Sequence, residues 1–227
     1  MQEPIMTTRR ALSTLLAATL LAATAASATV VEVPGVPATP GFNLFRYDGA
    51  LDAATKLETP PAVAMKAGGM ALVFEGTTLV EIARELGGDI QHAGDAGDST
   101  YWLCYTQPGS ATTPAAIVWF QSGEMGGADH TLAALAVETA PAALPPECVV
   151  PKKALDLETG LPGLGAKVAD LATAYGPATP KGDILMYTHE GAIAEGDLKG
   201  GVVLTFLGYQ LEGDLVSAYQ FGQMSAN

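Results

Sequence analysis

Basic residues are scarce in this chain. Lys and Arg together number 11 of 227, against 24 Asp and Glu, for a formal charge of −13 at pH 7. A surface so poor in cations cannot neutralise phosphates, which argues against nucleic acid and anionic lipid as partners. It suits a basic protein or a cation, although acids that only keep an exported protein soluble are the competing reading. Histidines number three, and His92, His130 and His189 share no metal-ligand spacing. The sequence lacks G-x-S-x-G, H-E-x-x-H, C-x-x-C and a Walker A loop. "GLPGLG" (160–165) has no Lys-Ser/Thr after it, and "GDAGD" (94–98) lacks the ligand run and closing Glu of a calcium loop. No catalytic residue, metal or cofactor is therefore expected.

Long apolar runs are also missing after the first 28 residues, so no membrane anchor is expected beyond them. Those first residues behave differently. Arg9 and Arg10 precede an uncharged Ala/Leu-rich stretch from 11 to 28, which ends in Ala26-Ser27-Ala28. This is the pattern of a secretory signal peptide cleaved after Ala28. It predicts a periplasmic or secreted protein that begins at Thr29, by Sec or twin-arginine export. No cysteine stands near the cleavage site, which argues against a lipid anchor. Losing Arg9, Arg10 and Glu3 with the leader takes the charge from −13 to −14.

Only two cysteines are present, Cys104 and Cys148. An even count in an exported chain points to one disulfide, which would stabilise the fold by roughly 3–4 kcal/mol in the chain-entropy model. The rival is a nucleophilic Cys104, but "YWLCYTQ" places no base beside it.

What the sequence does contain is a pattern stated twice. In "TTLVEIARELGG", Thr78 and Glu81 form a capping box. Leu79, Ile82, Ala83 and Leu86 make one helical stripe, ended by Gly87. In "AKVADLATAYGP", Val168, Leu171, Ala172 and Tyr175 repeat the stripe 89 residues on, and Gly176 ends it. Three strand-like runs with intervening turns follow each helix. The periodicity predicts an α+β fold of two tandem helix plus antiparallel β-meander units, with helices packed on one face of the sheets. The expected division is a signal peptide (1–28), an extended lead-in (29–69), a first repeat (70–140), a Pro-rich linker (141–160) and a second repeat (161–227).

A helix ending in Leu-Gly or Tyr-Gly-Pro, then a Tyr-bearing strand and a meander, doubled in tandem, resembles the β-lactamase inhibitor protein (BLIP-like) fold. The second copy, "GLPGLGAKVADLATAYGPAT…LMYTHEG", is also similar to SmpA/OmlA-type envelope lipoproteins. The resemblance implies binding through open sheet faces or scaffolding, and no enzymatic activity. The chain departs from both: it has no lipidation cysteine, and no inhibitory loop maps onto it. The set "WLCY…FQSGEMGG…C" further resembles a group of secreted bacterial proteins for which the resemblance supplies no activity.

Two features bear on a site. "QSGEMGGADH" aligns with "LGYQLEGD" in the second copy, so its glycines and acids read first as a hairpin turn. A small cation or partner site of Glu124, Asp129 and His130 is the alternative. In "YWLCYTQ", Tyr101, Leu103 and Tyr105 share one face. Tyr187 matches Tyr105 in the second copy, and Tyr219 lies on the last strand. If these faces look away from the helices, Tyr101, Tyr105, Tyr187 and Tyr219 make a partner-binding surface. If not, they are ordinary core. The leading functional expectation is a non-enzymatic protein-binding module. The alternative is an envelope hydrolase with a carboxylate/His site, for which His189 and Glu190 are further candidates.

Overall fold

A computed structural model describes residues 29–32, 51–61, 64–94, 99–111, 113–123, 129–193 and 199–226. The two apolar stripes form helices α1 (Leu79–Leu86) and α2 (Val168–Tyr175). The Thr78 hydroxyl accepts from Glu81 N–H at 3.1 Å, and the Glu81 carboxylate accepts from Thr78 N–H at 2.9 Å, so two orphan donors at the start of α1 are satisfied. In α2, Asp170 reaches back to Lys167 N–H at 2.8 Å, but Lys167 has no acceptor to return. Gly87 and Gly176 end the helices with φ of 86°, a conformation that favours glycine.

Twelve strands accompany these helices among the described residues. They are β1 (Val30–Glu32), β2 (Thr55–Lys56), β3 (Met65–Ala67), β4 (Met70–Leu72), β5 (Ile90–Ala93), β6 (Thr100–Gln107), β7 (Ala116–Gly123), β8 (Ala134–Thr139), β9 (Cys148–Val149), β10 (Ile184–Ala192), β11 (Val202–Glu212) and β12 (Leu215–Ala226). Strands β3 and β4 form a separate hairpin. The others make one sheet in the order β1-β5-β6-β7-β8-β12-β11-β10-β2, with β9 beside β6. The contacts of β1 with β5, β2 with β10 and β9 with β6 are parallel, and the remainder are antiparallel.

This overturns the expected α+β class. The chain is mostly β and is built on one large mixed sheet, not on two tandem helix-plus-meander units each with its own sheet. The reason lies at the junction. The last strand of each meander would be an open edge of unpaired N–H and C=O groups. Pairing β8 with β12, from Ala218↔Glu138 to Gly222↔Ala134, removes both edges at once.

The register carries rows of side chains straight across the joined sheet. On the first face, Leu103, Phe120, Leu135, Phe221, Leu207 and Tyr187 are successive cross-strand partners. A second row runs Tyr105, Val118, Val137, Tyr219, Tyr209 and Leu185. Both rows join the main core with Leu79, Ile82, Ala83 and Leu86 of α1 and with Leu171 of α2. Val168, Ala172 and Tyr175 of α2 stay partly exposed, so this helix rests on a single fully buried residue.

Candidate partner-binding site

The two tyrosine-bearing rows decide which aromatics can reach a partner. Tyr105, Tyr187 and Tyr219 lie in the core beneath the helices, at 0, 1 and 4% exposure. Their assignment as contact residues is corrected on that ground, because their rings are spent on packing. The Tyr105 hydroxyl donates to Gly87 C=O at 2.5 Å, which satisfies a carbonyl at the end of α1. Burial raises the Tyr105 hydroxyl pKa above the ordinary tyrosine range and pushes that of Tyr219 up to about 12. The Tyr187 ring lies 5.1 Å from that of Tyr175, and the Tyr219 ring 6.0 Å from that of Tyr209.

Tyr101 differs. It falls one step before Leu103 on the same face, opposite Ser122, and remains partly exposed at the end of the sheet. Its ring is sandwiched. His92, its cross-strand partner on β5, stacks at a centroid distance of 4.3 Å and 21°. His130 stacks nearby at 3.8 Å and 24°.

Local chemistry holds His130 in place. It sits between β7 and β8 with φ of 49°, a left-handed conformation that histidine tolerates better than most non-glycine residues. Its carbonyl accepts from Leu79 N–H, the first residue of α1, at 3.0 Å. Thr131 bridges to Thr78, and Leu132 N–H donates to Thr77 C=O at 2.7 Å. The capped start of α1 thus fixes the turn that carries the imidazole. His130 Nδ1 is buried and meets no hydrogen-bond partner. Burial, and then the neighbouring His92, lower the His130 pKa below the usual histidine value, while Asp129 acts the other way. A neutral imidazole on a tyrosine face is therefore the favoured state near neutrality.

Sequence reasoning named His130 and Tyr101 but gave His92 no role. The signal was the short run Ile90–Ala93, in which Gln91 and His92 interrupt two apolar residues, but its pairing with β6 is visible only in the sheet. Glu124, the other member of the hairpin patch, lies outside the described residues. The alternative hydrolase set also named His189 and Glu190. His189 and Glu190 are neighbours on β10 and so face opposite ways. His189 Nδ1 lies 3.1 Å from Leu57 C=O, and Glu190 pairs with Lys56 at 3.5 Å. Among the described residues, no group of three or more His, Cys, Asp or Glu could hold a metal ion.

Cys104 and Cys148 are joined as a disulfide, with Cα atoms 4.5 Å apart. They are register partners of β6 and β9, so the bond ties the segment after β8 to the outer edge of β6, next to β5. Such a bond fits an oxidising, non-cytoplasmic compartment. No helix among the described residues is long and apolar enough to cross a membrane. Comparison with protein-family models, curated proteins and solved structures finds no match to this chain.

Proposed function

We propose that the chain is an exported, non-enzymatic binding module that engages a protein partner at the His92–Tyr101–His130 stack. One observation carries this reading: of the four tyrosines that pattern together, Tyr101 is the one left partly exposed, and its ring is held rigid between two imidazoles. A rigid amphipathic ring loses little entropy on contact, which is why such residues dominate interfaces. The acid excess favours a basic partner. The leader pattern and the disulfide together support cleavage after Ala28 and residence in the periplasm or outside the cell.

The test has two parts. N-terminal sequencing of the exported protein should read from Thr29; a form retained in the membrane fraction and starting at Met1 or Met6 would contradict export. Immobilised protein from Thr29 onward, incubated with envelope extract, should retain a discrete basic protein that salt elutes. Tyr101→Ala should lose it and Tyr101→Phe should keep it. Equal retention by parent and Tyr101→Ala would place binding elsewhere.

A further inference from the structure

Thr29, the residue that would follow the leader, is already part of the sheet: its C=O accepts from Ile90 N–H at 2.9 Å. Strand β1 continues from it, with Val30, Val31 and Glu32 in parallel register with Ile90, Gln91 and His92 of β5. That register sets Val31 N–H against Ile90 C=O, the next rung of a parallel ladder. Among the described residues β1 is the outermost strand on this side. Val30 and Val31 are 47 and 38% exposed, so β1 is held mainly by its ladder bonds and little by apolar burial. Ile90 is fully buried, so the strand that receives β1 is firmly seated.

We propose that leader removal gates the closure of this sheet edge: β1 docks on β5 only after the bond between Ala28 and Thr29 is cut. The scissile bond is one residue, about 3.5 Å of chain, from the first ladder bond. A protease holds its substrate as an extended strand through the same backbone groups that a sheet neighbour uses. Thr29 C=O and Val31 N–H cannot serve β5 and a protease cleft at once, and β5 already fills one side of the strand. The membrane adds a second obstacle. The leader carries no charge from 11 to 28 and belongs in the bilayer until it is cut. With β1 paired, the sheet would begin one residue from the cut, with no spacer to reach a membrane-bound protease. The order of steps is then fixed as crossing, cleavage and docking. Hydrolysis takes up one water, leaving a carboxylate on Ala28 and a new α-amine on Thr29. The gate rests on the export reading above and adds that the folded precursor is a poor substrate.

Full-length precursors, purified folded and incubated with a signal peptidase in detergent, test this, with cleavage followed by intact mass. A strand that must open before it is cut is cleaved in proportion to its open population. The parent should therefore be cut at least about tenfold more slowly than a precursor with a Gly/Ser spacer of about six residues between Ala28 and Thr29, which moves the bond roughly 20 Å from the sheet. Val31→Pro, which removes a ladder N–H, should also be cut faster than the parent. The spacer form keeps the test open if Val31→Pro fails to fold. Peptides of the leader and its junction from the parent and spacer forms should be cut at equal rates. Equal rates for the folded parent and the folded spacer form would overturn the gate, as would a gap that persists in the peptides. Cleavage of none of the precursors or peptides would remove the leader reading itself, and the gate with it.

Discussion

Gly222 on β12 has no room for a side chain. It pairs directly with Phe206 across β11 and β12, and the Phe206 ring lies over it. A Cβ built there would stand 2.2 Å from Phe206 Cζ and 2.7 Å from Ala133 O. The ring could swing aside, but only by giving up its own burial. Ala133 O cannot yield cheaply, because it accepts from Gln223 N–H at 2.9 Å and that bond helps seat β12 beside β8. Overpacking a core typically costs about 1–3 kcal/mol, and a clash with backbone belongs at the upper end. Gly222→Ala should therefore cost roughly 3 kcal/mol, which for a domain of this size lowers Tm by about 6–12 °C. Thermal melts followed by circular dichroism, with the disulfide intact, measure this directly. A double-mutant cycle with Phe206→Ala separates the two contacts. Adding Gly222→Ala to Phe206→Ala should cost less than adding it to the parent, with the Ala133 part remaining. A Gly222→Ala variant that melts with the parent would refute the packing at the β8–β12 junction.

Other expectations rest on the same geometry. Reducing Cys104–Cys148 opens a loop with a sequence separation of 44 and should cost roughly 4 kcal/mol, read as a drop in denaturation midpoint between oxidised and reduced, alkylated protein. Leu86→Asp and Leu171→Asp each bury an unpaired charge at a fully buried position and should cost about 4 kcal/mol or more, while Val80→Asp, on the exposed side of α1, should stay within about 0.5 kcal/mol in the same melts. The lowered pKa of His130 means that the unfolded chain takes up its proton first as the pH falls. The stability held by neutral His130 is thus complete above the unfolded value near 6.5 and is lost as pH falls below it towards and through the folded value. Melts between about pH 5 and 8 should show this slope in the parent and a smaller one in His130→Asn, which keeps a residue tolerant of positive φ.

The helices were legible in the sequence because their signals are local. Thr78, Glu81 and Gly87 mark the ends of α1 within ten residues, and the stripe between them is read by spacing alone. The joined sheet was not legible. Its decisive contact pairs residues 134–138 with 218–222, and no periodicity reports a pairing about eighty residues apart. The short edge strands β1 and β2 were hidden for a related reason: two or three residues among prolines and glycines become strands only because β5 and β10 offer open edges. The tyrosines failed differently. In "YWLCYTQ" both faces are apolar, with Tyr101, Leu103 and Tyr105 against Trp102 and Cys104, so alternation gives the faces but not which one meets the helices. Both faces are in fact buried, and Tyr101 is spared by its place at the strand end.

The central claim is that the Tyr101 stack is a contact surface, and site-specific photo-cross-linking in living cells tests it most directly. A photoreactive phenylalanine analogue at position 101 should give a discrete adduct with one other protein. The same analogue at Leu215, exposed at the opposite end of the sheet where β12 begins, should give none. No adduct at either position, or the same adducts at both, would contradict the assignment of this end of the sheet as the binding site.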